Sequence, residues 1–485
     1  MTYRITGFAP EKLFQFFEDI SAIPRGSSNE KAVSDFLVSF AAARGLWCHQ
    51  DALHNVIIKK PASAGAESAP AVMLQGHLDM VCEKRADAVH NFETDGLDLI
   101  VEDGVLRANG TTLGGDNGIA VALMLTVLDD GALVHPALEC VFTTQEETGL
   151  GGAAALDKSL LTARTMINLD SEDEGVATVS CAGGMRYTLT RTLTRETLQG
   201  TLLRLSIAGL LGGHSGIDID KERVNADVLM GRLLSRLLHE TAGRLVSFAG
   251  GTKDNAIPRE CTAALIYTDA DEAARAVQLA EAMAHDFTNE IAGDEPDFSC
   301  AVSAETGAAD AMSGADARAL IGAVCLAPNG VRRRNLKQDA FVVTSLNLGV
   351  VETDAHTAHL SFAPRSSVAS LQADTTDRLA LLAETFGFET EITGAYPGWQ
   401  FAAVSPVRDC FCESYQALFG SALKIEAIHA GLECGLFSDA LPGLDAIAVG
   451  PTIRGCHTPD EHLPLDSCER FYRLLCDVLA RLARR

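Results

Sequence analysis

The sequence predicts an α/β protein. A largely parallel mixed sheet flanked by helices forms one domain, and a second α+β domain is inserted into it. Three observations predict this. In residues 1–186, short continuous apolar runs bounded by turn signals alternate with helical periods, the pattern of strands buried on both faces. Over 187–393 the strands become half-apolar and the helices longer. Over 394–485 the first style returns.

The elements follow in order. Pro10 to about Gly45 reads as helices, with Val33, Phe36, Leu37 and Phe40 on one stripe. Asn55–Ile58 and Ala71–Gln75 read as strands, separated by the Ala/Ser loop Pro61–Pro70. Ala122–Leu128 is apolar on most faces and predicts a buried helix. Leu138–Thr143 and Thr165–Leu169 are further strands. In the middle block, Thr201–Ile207 reads as an edge or half-exposed strand and Val224–Leu238 as a strong helix. Ala263–Tyr267 is a strand and Asp271–Ala292 an Ala-rich helix. Phe341–Val351 and His359–Ala363 read as paired strands, and Val368–Phe386 as a helix. The last block has a strand at Ala446–Val449 and an amphipathic helix from Ser467 to the end. No internal repeat is visible.

Composition excludes several function classes. The chain has 485 residues, 47% hydrophobic and 21% charged, which is globular rather than disordered or collagen-like. Its net charge of −26 argues against non-specific binding of nucleic acid or anionic membrane. Arg332–Arg334 is too short a basic run to reverse that, and reads as a solvated face or a local ion-pair partner. No charged-then-apolar leader opens the chain, and the longest helical apolar run falls well short of the ~20 residues that span a bilayer. Thirteen scattered cysteines with no C-x-x-C pair fit free thiols in a reducing cytoplasm.

The chemistry sits where strands end. Ala71–Gln75 runs into Gly76-His77-Leu78-Asp79, Leu138–Thr143 into Glu146-Glu147, and Thr165–Leu169 into Asp170. Gly-Gly-Asp116-Asn117-Gly precedes the buried helix, and His457 follows the Ala446–Val449 strand. Sites of open α/β sheets form at the carboxyl ends of strands. Each piece alone has a plainer reading: Asp116 or Asn117 as a helix cap, the Glu pair as a helix start, His457 as a loop histidine. Together, two imidazoles and several carboxylates form a mixed N/O donor set suited to zinc, with cobalt or manganese as substitutes. The carboxylate excess suits a two-metal site, and one more carboxylate is left over to act as general base.

The set His77-x-Asp79, Asp116, Glu146-Glu147, Asp170 and His457 resembles the co-catalytic zinc peptidases related to aminoacylase, carnosinase and tripeptidase. Gly-Gly-His214-Ser-Gly, Asn255-Ala-Ile-Pro-Arg, Gly-Ala-Tyr396-Pro-Gly-Trp399 and Ile428-His-Ala-Gly-Leu-Glu433-Cys-Gly-Leu resemble a dipeptidase branch of that family. The resemblance implies two Zn2+ per subunit. His77 and Asp170 hold one ion, Glu147 and His457 the other, and Asp116 bridges them. Asp79 orients His77, and Glu146 activates the bridging water for attack on a dipeptide with a free N-terminus, Xaa-His among them. It further implies that the inserted domain is a lid through which the chain forms a homodimer. From that lid His214 stabilises the oxyanion, while Asn255, Arg365 and Gly431 bind substrate. An N-acyl amino acid deacylase or a tripeptidase on the same scaffold stands as the alternative, and a catalytically dead metal-binding protein as a remote one. Cys456, next to His457, reads as a bystander, and Glu433 as a buried acid that ties a loop or tunes metal affinity.

Overall fold

Four parallel strands lie at the centre of the first sheet in the computed structural model, which describes residues 3–291, 293–337 and 340–484. Their order is Leu138–Thr143, Val72–His77, Thr165–Asn168, Asp445–Ala448. Val56–Lys60 and Trp47–Gln50 extend the sheet antiparallel beyond the first, Val176–Cys181 pairs antiparallel with the last, and Lys424–Ile428 lies beside it at the edge. Val72–His77 and Leu138–Thr143 are buried along their whole length, which explains their unbroken apolar runs. The fourth parallel strand comes from the far end of the chain, so one sheet is built from two distant segments.

The chain divides into two compact units. One comprises Met1–Ser180, Trp399–Ala427 and Leu432–Arg485, and the other Cys181–Gly398 with Ile428–Gly431. Each has its own hydrophobic core.

Among the described residues, the second unit is built on a nine-stranded antiparallel sheet. Its strand path conceals a repeat that the residues do not display. Arg195–Ala208, helix Ala226–Glu240, Arg244–Gly250, Cys261–Tyr267, helix Ala270–Ile291 and Ser299–Met312 form a βαββαβ module. Gly183–Thr192, helix Gly314–Leu326, Val342–Thr353, Thr357–Ser366, helix Ala369–Phe386 and Glu389–Tyr396 form a second, into which the first is inserted. The two strand orders mirror each other across the pairing of Arg244–Gly250 with Val342–Thr353. Thr201–Ile207 is therefore not an edge. It belongs to a strand paired on both sides, and its alternation comes from having only one face fully covered. Ala292 and Arg485, to which the sequence extends two helices, lie outside the described residues. No helix among the described residues is long and apolar enough to cross a membrane.

Candidate metal centre

The carboxyl ends of the parallel strands deliver the ionisable cluster. His77 ends its strand, Asp170 follows Thr165–Asn168 by two residues, and Glu146 and Glu147 follow Leu138–Thr143 by three and four. Asp116 lies at the start of helix Gly115–Asp129, in a stretch of non-helical backbone. The helix is capped by Gly114 without a side-chain bond, so the capping role for Asp116 or Asn117 does not hold. Asn117 instead accepts the His77 N–H and donates to the Leu169 carbonyl, joining two strand ends.

Asp116 faces two ways. Its Oδ1 is 3.1 Å from His77 Nε2, which also lies 3.6 Å from Asp170 Oδ1. Its Oδ2 is 3.2 Å from His457 Nε2, which lies 3.1 Å from Glu147 Oε1. Donors bound tetrahedrally to one ion at Zn–N and Zn–O lengths stand ~3.3 Å apart. In the clusters His77–Asp116–Asp170 and Asp116–Glu147–His457 the imidazole–carboxylate distances of 3.1 to 3.6 Å lie around that spacing. Nitrogen and oxygen donors of this kind fit a divalent cation of the zinc, cobalt or manganese type.

The two imidazoles are close partners of these carboxylates. Burial would raise the Asp116 carboxyl, but hydrogen bonds from His457 and His77 outweigh it and hold it well below the ordinary range. Bonds to Asp116 and Glu147 push His457 up to about 10. Burial opposes a charge on His77, yet Asp170, Asp116 and Asp79 raise it well above its ordinary value. Glu146 is pushed up to about 9, first by burial and then by the charges of Asp170, Glu433 and Glu147. A cation bound by the two imidazoles must displace their protons.

Asp79 does more than the sequence indicates. His77 Nδ1 lies 3.1 Å from the Asp79 carbonyl and 3.4 Å from its carboxylate. The carboxylate also accepts the amide N–H groups of Glu146 and Glu147 and the Ser27 hydroxyl. Glu433 is fully buried and accepts from Gln75 and, at 2.7 Å, from Thr143. Gln75 in turn accepts from Asn168, whose Oδ1 takes the Asp170 N–H. Cys456 groups with Asp116 and Glu172, but burial and those charges raise its thiol and keep it protonated.

The second unit brings its own residues into two linked pairs. His214 Nδ1 accepts the N–H groups of Gly216 and Ile217, so its Nε2 carries the proton. Burial and the nearby Arg365 guanidinium lower its pKa and keep it neutral. The Asn255 carbonyl accepts the N–H of Ser215, the next residue along, while the Asn255 side chain stands in solvent. Arg365 is buried and donates to the Tyr396 hydroxyl at 3.0 Å, beside a cavity of about 330 Å³ that also involves Arg186 and Asp254. Gly431 packs on the Tyr396 ring so closely that a Cβ there would stand 2.8 Å from it.

Peptidase family M20/M25/M40 is matched over residues 73–481, and the chain belongs to that family of metal-dependent peptidases. It is 37% identical over 480 residues to the cytosol non-specific dipeptidase of Escherichia coli (strain K12), covering 99% of each chain. It superposes on the crystal structure of aminoacylhistidine dipeptidase from Vibrio alginolyticus with a TM-score of 0.94 and 35% identity, over 98% of this chain and 97% of that one. A tripeptidase from Staphylococcus aureus shares the fold, with a TM-score of 0.57 at 15% identity over 99% of this chain and 100% of that one.

Proposed function

We propose that this chain is a cytoplasmic dipeptidase that hydrolyses dipeptides with a free N-terminus, Xaa-His among them, using two zinc ions per subunit. The observation that carries the reading is the two-faced Asp116, each of whose oxygens meets one imidazole and one further carboxylate within reach. The names of the two relatives that share over a third of its residues supply the substrate class.

His77 and Asp170 would hold one ion and Glu147 and His457 the other, with Asp116 available to both. When bound, the ions supply Lewis acidity that acidifies water and polarises the scissile carbonyl. Glu146 takes the proton from the attacking water and returns it to the leaving amine. Asp79 holds the His77 ring and the backbone of Glu146 and Glu147. The second unit acts as the lid. His214, neutral with Nε2–H free to donate, stabilises the oxyanion. Asn255, Arg365 and the Gly431 backbone take the substrate, the Arg fork pairing with its carboxylate. The subunits pair through this unit, which offers the long edge strand Ser299–Met312.

The test is a panel of dipeptides, tripeptides and N-acyl amino acids assayed with zinc, cobalt and manganese. Dipeptide turnover that chelation abolishes and zinc restores is expected. Turnover of acyl substrates with none of dipeptides would overturn the reading.

A further inference from the structure

Two buried charged groups outside the ligand set grip the turn that carries Asp116. Glu461 is 2% exposed and lies four residues after His457. Its Oε2 accepts the N–H groups of Leu113 at 2.8 Å and Gly114 at 2.9 Å, and its Oε1 accepts that of Asp116 at 3.1 Å. Arg25, also 2% exposed, holds the same turn by its carbonyl: Nη2 donates to Gly114 O. Its Nη1 donates at 2.9 Å to the carbonyl of Leu78, the residue between His77 and Asp79. Arg25 therefore joins the loop behind His77 to the turn before Asp116. Glu461 joins that turn to the loop behind His457.

The glycines of Gly-Gly-Asp-Asn-Gly are the imprint of this grip. A Cβ at Gly114 or at Gly118 would stand 2.5 Å from Arg25 Nη2. One at Gly115 would stand 3.1 Å from the Leu463 side chain and 3.3 Å from Glu461 Oε1. The chemistry at position 461 is equally restrictive. Three amide hydrogens converge on one group, and an ionised carboxylate presents acceptors only, whereas the amide of Gln would turn a donor toward at least one of them.

We propose that Arg25 and Glu461 are positioning residues that clamp the Leu113–Asp116 turn and thereby hold the Asp116 carboxylate between the two imidazoles. This rests on the reading of Asp116 as the shared ligand. Neither residue touches an ion. Both act through the backbone of a ligand common to the two sites, so loosening the clamp weakens both ions together. Loss of a ligand such as Glu147 weakens one.

The metal-free protein is titrated with Co2+ and followed by visible absorption and calorimetry. Glu461→Gln is expected to weaken both equivalents by about 10–100-fold, the usual effect of losing a group that orients a ligand. Its circular dichroism should match the parent's, and its metal-free Tm should fall, because one buried amide donor now faces another; both equivalents are measured at a temperature where the variant is folded. Arg25→Lys keeps the charge but loses the fork, and should weaken both equivalents to a smaller extent; it decides alone if Glu461→Gln does not fold. Parental affinity in both variants, or a loss confined to one equivalent, overturns the clamp. Asp116→Ala separates the clamp from the reading beneath it. If that variant keeps one equivalent at parental affinity, the shared-ligand reading fails. If it loses both while Glu461→Gln binds like the parent, the clamp alone fails.

Discussion

Glu146 and Glu147 are neighbours in sequence whose carboxylates both group with His77, and only Glu147 also groups with His457. Glu147 Oε1 lies beside His457 in one donor cluster, while burial and surrounding negative charge push Glu146 up to about 9. Glu146→Gln is therefore expected to keep both metals and to lower kcat by about 10²–10⁴-fold, the range of general acid–base groups. Glu147→Gln should lose one ion and regain part of its activity in added metal. Metal analysis beside kcat for the two variants checks this; the reverse pattern would mean the roles are swapped. A second titratable group makes a prediction about acid. His429 is pushed down to about 3, chiefly by burial and then by Arg365, and bonds Ser345 at 2.7 Å. Its folded pKa is depressed, so between ~6.5 and 3 the unfolded chain binds a proton that the native protein refuses. Stability falls as pH falls through that window, by about 2 kcal/mol at pH 5 from this group alone. His429→Asn should flatten that part of the acid limb in urea melts at pH 5 and 7; an unchanged slope would refute the assignment. The ionisable cluster was legible because its residues sit in strand-end loops. Arg25, Glu461 and Gln75 were not, because their partners lie far away in sequence: Glu461 meets residues 345 to 348 positions earlier. No local pattern marks a side chain whose role is to bond distant backbone.

Among elements, those with their own apolar period were readable and those whose signal is a cap were passed over. Helix Gly314–Leu326 begins at Ser313, whose side chain accepts the Asp316 N–H as an N-cap. Helix Pro406–Phe419 begins with the Ser405 cap and Pro at the first position. Both signals were available. Strand Ser299–Met312 carried none, because most of it is exposed or half-exposed and rich in Ala and Ser. The cap matters energetically. Ser313→Ala should cost the second unit about 1 kcal/mol, read as a lower urea midpoint with an unchanged m-value and unchanged metal content. The loss of a cap does not propagate to ligands on other strands, so an altered metal stoichiometry would contradict this.

At the scale of the molecule, the two units have separate cores and, among the described residues, the donor clusters lie in the first. Calorimetry is expected to resolve two transitions, of which metal raises one. At a free metal concentration 100 times Kd, that unit gains about 2.7 kcal/mol. Chelation should lower its Tm and leave the other in place; a chelator shift of both by the same amount would mean that they melt as one. The sheet built from two ends of the chain has a consequence for how the protein comes into being. Strand Thr165–Asn168 gains its second parallel neighbour, Asp445–Ala448, only after the whole second unit has left the ribosome. His457 and Glu461 emerge later still. During synthesis the second unit, whose sheet pairs strands of that unit alone, can collapse while the first unit waits with an open sheet edge. The donor cluster is therefore the last part of the molecule to be assembled, and a nascent chain stalled before residue 445 lacks both the strand that pairs with Thr165–Asn168 and the imidazole of His457.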